Sequence, residues 1–306
     1  MDFFDLHCDT LTVCMAKKMS LYANSADVDF CTGKDFGRWN QVFAVFIPDT
    51  MDASCAEAYF DSACDFYCSE LRSRAAFSPI LYPGDVRAAQ RGSVLAMENS
   101  KGINSIERLE LLYERGLRLV TLTWNGQNRA GGGCKAGGGL TEWGEELVRA
   151  FDRIGIVTDV SHLSDKGFFD VARLTASPFI ASHSNARSVY ENPRSLSDDQ
   201  IKIIVQRGGL IGLNFFCDFL GGSGGMDDLL RHAEHILSLG GENALCIGSD
   251  YDGCKISDEL RGIEKIPAIY LHFEKNGIPP EICSKIFYEN AAHFFENILH
   301  RPNNML

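Results

Sequence analysis

His7, Asp9, Glu98, His162, His183 and Asp250 each close a short apolar run of the chain. Imidazole nitrogens and carboxylate oxygens, without thiolate, suit a catalytic zinc or another divalent transition metal. Six such groups exceed what one tetrahedral zinc uses, so their number points to a two-metal site bridged by a carboxylate. Strand alternation predicts His7 and Asp9 on one face, with Cys8 turned toward the surrounding helices. A lone histidine at a strand end is commonly a hydrogen-bonded structural residue. Convergence of several separated segments is harder to obtain by packing, because buried charges are costly unless paired or metal-bound.

The elements that must position these groups recur along the chain. Eight short apolar segments, 3–9, 41–47, 93–98, 118–124, 156–162, 179–183, 209–215 and 244–250, have strand character, and near-continuous apolarity suits buried parallel strands. Amphipathic stretches lie between them at 105–115, 144–153, 196–206 and 226–239, several opening on Ser or Asp; Ser197 followed by Asp198 and Asp199 is a typical helix start. No GxGxxG follows the first strand, so the pattern predicts an α/β fold of the (β/α)8 TIM barrel class, one domain over 1–306, rather than an open doubly wound sheet. The active site of such a barrel lies at the C-terminal ends of its strands, where the six residues stand. Two glycine-rich stretches, 131–139 and 221–225, are expected as flexible loops at that mouth; neither has the Lys-Ser/Thr and strand-to-helix setting of a phosphate cradle.

Composition narrows the class. A net charge of −12 and the lack of any Lys/Arg block exclude nucleic acid as a partner. There is no apolar run long enough to span a bilayer and no secretory pattern, so the expectation is a cytoplasmic protein with no membrane contact. Eleven cysteines without a CxxC pair read as reduced thiols. His232 and His235, on an amphipathic stretch, and His272, His293 and His300, away from the strand ends, read as packing or solvated residues.

Taken in order, His7-Cys8-Asp9-Thr10, Glu98, Leu122-Thr123-Trp124-Asn125, Asp159-Val160-Ser161-His162, Ser182-His183-Ser184-Asn185-Ala186 and Gly248-Ser249-Asp250-Tyr251-Asp252-Gly253 resemble the motif series of the membrane (renal) dipeptidases. The series spans residues 5 to about 253, nearly the whole barrel. The resemblance implies a binuclear zinc site with His7 and Asp9 on one ion, Glu98 as bridge, and His162 and His183 on the other. It implies Asp250 as the proton-transfer residue and Arg194, eleven residues past His183, as the holder of the substrate carboxylate. Arg187, in the same loop, competes for that last role, and either fork could grip a carboxylate in bidentate fashion. Two departures stand out. Trp124 replaces the histidine that vertebrate members carry after Thr-Leu-Thr, and Asn99-Ser100 replaces the frequent Gly-Gly after the glutamate.

The expected function is therefore hydrolysis of free dipeptides by a metal-bridging hydroxide on two Zn2+ per chain, with a D residue accepted at the C-terminal position and Trp124 lining the pocket. Another amidohydrolase-type reaction, on a lactone, N-acyl amino acid or phosphotriester, and a catalytically silent metal-binding barrel are the alternatives. The oligomeric state is left open, a homodimer included.

Overall fold

The eight apolar runs become parallel strands covered on both faces: β1 (Phe3–Cys8), β2 (Trp39–Phe46), β3 (Arg91–Glu98), β4 (Leu117–Thr121), β5 (Val157–Asp159), β6 (Ile180–Ala181), β7 (Leu210–Leu213) and β8 (Leu245–Ile247). This is a computed structural model, and it describes residues 1–74 and 77–299. Sequential neighbours pair around the ring, β2 with β3 over the full register Trp39↔Arg91 to Phe46↔Glu98, and closure comes where Asp5 of β1 meets Ile247 of β8. A two-residue strand, Ser78–Pro79, pairs in parallel with the start of β3 at Gly92 and Ser93. The result is a closed (β/α)8 barrel with helices outside. Among the described residues, no helix is long and apolar enough to cross a membrane.

The connecting helices start where local chemistry tells them to. Ser105, Thr141, Ser164 and Ser197 each accept a backbone N–H from three residues on, and Ser197 with Gln200 completes a capping box. Each such cap stabilises its helix by about 1 kcal/mol. The barrel interior is filled from every strand, by Phe4, Leu6, Val42, Ala44, Val94, Ala96, Leu119, Val157, Ile180, Leu210 and Cys246. Phe294 and Phe295, from helix Asn290–Ile298, plug its lower end, with Phe295 stacked 5.3 Å from Phe4.

One irregularity decides where the first motif points. Phe4 and Leu6 face the interior, so plain alternation would also send Cys8 inward and His7 out. Between Asp5 and Cys8 the register against β2 slips by one residue. Such a bulge re-aims side chains next to a site. Past it, Cys8 packs in the outer core with its thiol on the Val42 carbonyl, while His7 and Asp9 turn to the barrel mouth. Asp5, left behind the wall and fully buried, accepts Ser249 N–H and O–H and the Gln41 amide.

The glycine-rich stretch 131–139, expected to be flexible, is instead tied down. Gly131, Gly132 and Gly133 are buried, Gly133 N–H bonds Gly126, and Cys134 N–H bonds the His162 carbonyl. At Gly133 a Cβ would lie 2.0 Å from the Trp124 carbonyl oxygen, so glycine is needed there for close approach rather than for mobility.

His232 takes the packing role. Fully buried, it accepts Ala186 N–H at Nδ1 and donates from Nε2 to the Leu220 carbonyl, both at 3.2 Å, which joins loop 184–197 to the turn after β7. Burial pushes its imidazole down to about 4. The unfolded chain takes up that proton near pH 6.5 and the folded chain only near 4, so the stabilisation, about 3 kcal/mol, is complete above pH 6.5 and drains as pH falls to 4. Urea midpoints from pH 7 to 4.5 are expected to fall less steeply in His232→Gln, which keeps a donor and an acceptor but does not titrate. Parallel slopes would remove His232 from the acid response. His235 pairs with Asp198 and His272 with Asp227, both at the surface, and His300 lies outside the described residues.

Candidate metal centre

The C-terminal ends of β1, β3, β5, β6 and β8 bring His7, Asp9, Glu98, His162, His183 and Asp250 to one point of the mouth, all of them buried. Three overlapping sets have ligand atoms within 4.8 Å of one another: His7, Asp9 and Glu98; Glu98, His162 and His183; and His7, His183 and Asp250. Glu98 divides its carboxylate between two sets. Its Oε2 lies 3.6 Å from His7 Nε2, while Oε1 lies 2.9 Å from His162 Nε2 and 3.8 Å from His183 Nε2.

Partners behind the rings fix which nitrogens face inward. His162 Nδ1 donates to Asn125 Oδ1 at 3.0 Å, and His183 Nδ1 donates to Ser182 Oγ at 2.7 Å, whose own proton goes to Asp159 Oδ2 at 2.6 Å. Such outer contacts set tautomer and ring orientation. Both Nε2 atoms are thereby left as lone pairs, 3.0 Å apart and beside Glu98 Oε1. Burial, then the charges of Arg194 and His7, holds His162 well below the ordinary imidazole value, and burial does the same for His183. Two imidazole lone pairs meeting a carboxyl oxygen at one point suit a cation.

The His7 side supports the same inference. His7 Nε2 and Asp9 Oδ1 are buried with no hydrogen-bond partner. Asp9 occupies the N-cap of helix Thr10–Lys17 yet makes no side-chain cap bond, its carboxylate being turned to the mouth. Burial alone would lower the His7 value, but Asp9, Glu98 and Asp250 outweigh it and raise it to about 10, a proton doing there what a metal would do better. Glu98 is pushed well above the carboxylate range by burial, as is Asp250, to about 6, although His7 and Asn214 pull it back. A Cβ at Gly253 would lie 2.1 Å from Asp9 Oδ2 and 2.8 Å from Asp250 Oδ1, so glycine keeps this space open. The donor set, its orphaned atoms and its space fit divalent cations.

Backbone strain gathers at the same place. His162, Asp250 and Asn99 are non-glycine residues in the left-handed region, at φ 65, 62 and 74°. Strain of this kind persists where surroundings over-determine it, commonly at functional sites. Asn99 is held by bonds to the Ile47 carbonyl and Asp49 and from Asn128, which lets it stand at this backbone conformation where glycine would be unstrained.

Beyond the ligand atoms, a cavity of about 340 Å³ is lined by the aromatic residues Phe46, Trp124, Phe216 and Phe219. Trp124 meets Phe46 edge-on at 5.0 Å and lies 6.3 Å from the His162 ring. Arg194 is buried beside it, Nη1 on Ser184 Oγ at 2.7 Å and Nη2 on the His183 carbonyl at 2.9 Å, with Nε unpartnered. No carboxylate pairs with it among the described residues, whereas Arg187 is committed to Asp165, at 2.8 and 2.9 Å, and to the Ser195 carbonyl. A larger cavity, about 710 Å³, lies at the opposite end of the barrel, where Arg87 is already paired with Glu289 and Glu296, and Lys285 with Glu242. That is the face on which barrels carry stability rather than chemistry.

Asn125, Asp159, Ser182 and Asn214 were assigned no role from the sequence. Asn214 donates to Asp250 Oδ2 at 3.0 Å and accepts Phe216 N–H at 2.7 Å. It stands just beyond the end of β7, so inspecting every strand end for polar residues, instead of only for His and acids, would have found it.

Known proteins point the same way. The family model for membrane dipeptidase, peptidase family M19, matches residues 1–305. A Klebsiella pneumoniae protein encoded in the pqqA 5′ region is 30% identical over 237 residues, 71% of this chain and 88% of its own length. An uncharacterized dipeptidase of Schizosaccharomyces pombe is 32% identical over 199 residues, covering 62% of this chain and 45% of that protein. Among solved structures, a dipeptidase described as a metallopeptidase of family M19 superposes with a TM-score of 0.91 at 27% identity, covering 98% of this chain and 99% of the other. A Rhodobacter sphaeroides metallopeptidase, bound to a phosphinate mimic of the dipeptide L-Ala-D-Ala, gives 0.91 at 26% identity, covering 97% and 99%. A closed barrel with a buried metal-ligand cluster at its mouth, matched from end to end by this family, makes the chain a member of the membrane dipeptidases, hydrolases that act on peptide bonds.

Proposed function

We propose that this chain is a dipeptidase that works with two zinc ions, one held by His7 and Asp9, the other by His162 and His183, with Glu98 shared between them. The observation that carries this reading is the split of the Glu98 carboxylate, one oxygen toward each histidine set. Charge supports it, since three carboxyl groups, Asp9, Glu98 and Asp250, are buried together at one point, an arrangement that is costly without cations. When bound, the ions supply Lewis acidity toward the scissile carbonyl and toward the attacking water.

The chain's own residues do the rest. Asn214 occupies Asp250 Oδ2, which leaves Oδ1 facing His7 and the cavity, and this oxygen takes the proton from the water and returns it to the leaving amine. Arg194, a buried cation without an anion, binds the C-terminal carboxylate of the substrate, and Trp124 walls the pocket without exchanging a proton. The L-Ala-D-Ala mimic in the Rhodobacter sphaeroides relative supports acceptance of a D residue at the C-terminal position. One barrel domain spans the chain, and its free thiols suit a cytoplasmic setting.

Elemental analysis after reconstitution, run beside assays on L-Ala-L-Ala and L-Ala-D-Ala, tests the proposal. Close to two metals per chain and release of alanine are expected. A metal-free protein with full hydrolytic activity would sink it, and two metals with no dipeptide cleaved, but a lactone or N-acyl amino acid hydrolysed, would move the chain to another hydrolase reaction.

A further inference from the structure

We infer that the wall formed by Phe216 and Phe219 selects an apolar side chain on the C-terminal residue of the dipeptide and rejects an acidic one. This rests on the dipeptidase reading and on Arg194 as the carboxylate holder. The Arg194 guanidinium carbon is 5.9 Å from the Phe219 ring centre, and Phe219 meets Phe216 edge-on at 4.6 Å. A carboxylate bound at Arg194 therefore sets the α-carbon of its residue within side-chain reach of these two rings, both of which line the cavity.

Electrostatics sharpen the selection. Among the described residues no lysine or arginine lines the cavity, while Asp252 adds a carboxylate beyond those given to the metals and to proton transfer. An acidic substrate side chain would meet the aromatic faces of Phe216 and Phe219 and the carboxylate of Asp252, with the nearby guanidinium already engaged by the terminal carboxylate. Burial against the rings, by contrast, releases apolar surface from water.

The wall is held in place before substrate arrives. Phe216 N–H bonds Asn214 Oδ1, Phe216 bridges Ile256, Cys217 N–H bonds the Lys255 carbonyl, and His232 holds the Leu220 carbonyl. The short helix Cys217–Leu220 that carries Phe219 is thus pinned at both ends, and the pocket cannot easily swing open for a charged group. Asn214 joins this wall to Asp250, so the side-chain pocket and the proton-transfer residue share one support.

The test uses the metal-loaded protein and dipeptides with L-Ala first and Ala, Leu, Phe or Asp second, the last residue in both hands. With the better-accepted hand, Leu and Phe are expected to exceed Ala in kcat/KM by about ten-fold, and Asp to fall below Ala by a similar factor. Phe219→Ala should bring the Leu-to-Ala ratio close to one, and Phe219→Leu, which keeps apolar surface, should retain most of it; metal content is measured for both as a check on folding. Dipeptides cleaved with Asp equal to Leu, or a ratio unchanged in Phe219→Ala with metals in place, would overturn this inference alone. No cleavage of any dipeptide would overturn the dipeptidase reading and this inference with it.

Discussion

Asp250→Asn is expected to lower turnover at saturating substrate by about 10²–10⁴-fold, the usual contribution of a general acid–base group, while the metal content stays near that of the unsubstituted protein. Asparagine is the informative replacement because it alters only the chemistry. Asp250 sits at φ 62°, a conformation that asparagine tolerates as well as aspartate, so the turn Gly248–Gly253 keeps its shape. The Asn214 amide can still donate to the remaining carbonyl oxygen, but the NH2 that then faces the cavity cannot accept a proton. Alanine would confuse the result by straining the left-handed backbone. Turnover is read by amine release and metal by elemental analysis. Unchanged turnover would give the proton transfer to another group, and a loss of metal in step with activity would make Asp250 a ligand, as its place near His7 and His183 permits.

Arg194→Met should reduce kcat/KM for free dipeptides by about one to two decades and leave C-terminally amidated dipeptides nearly unaffected. A charge-assisted hydrogen bond contributes roughly 1.5–3 kcal/mol, and each 1.4 kcal/mol is ten-fold. The structure strengthens the expectation, because Arg194 is a buried guanidinium with no carboxylate partner and with Nε unsatisfied, and burial holds its value below the usual one. Methionine fills similar volume without the charge. Comparing free and amidated substrates on both proteins isolates the carboxylate from any small shift of the His183 carbonyl that Arg194 also binds. Equal rates on free and amidated dipeptides in the unsubstituted protein would reject this role outright, and Arg187, already bound to Asp165, is not placed to inherit it.

Read by itself, the chain disclosed its eight strands, because a strand buried on both faces must be apolar along its length, a property visible within six to eight residues. The same locality exposed the helix starts near Ser105 and at Ser197, and the charged or imidazole residues that end the strands, while the caps at Thr141 and Ser164 emerged only in the structure. It also disclosed the family, since the order of the motifs spans the whole barrel. Other features depended on closure of the ring. His7 and Asp9 do come together, but not through the alternation that predicts it: a one-residue slip against β2 turns His7 inward, and a bulge is a relation between two strands, carried by neither alone. Asn125 behind His162, Asp159 and Ser182 behind His183, and Asn214 behind Asp250 are short polar residues whose partners are 37, 23 and 36 positions away for the Asn125, Asp159 and Asn214 contacts, distances with no period to betray them. Arg187 and Arg194 are equal by type and loop; the resemblance alone favours Arg194, and the fold adds the physical difference, pairing Arg187 with Asp165 and leaving Arg194 buried with no carboxylate partner among the described residues. Local periodicity records which side of an element is dry; which polar group meets which is settled only when distant strand ends are brought to the same few ångströms, where an unpaired charge is too costly to leave without a purpose.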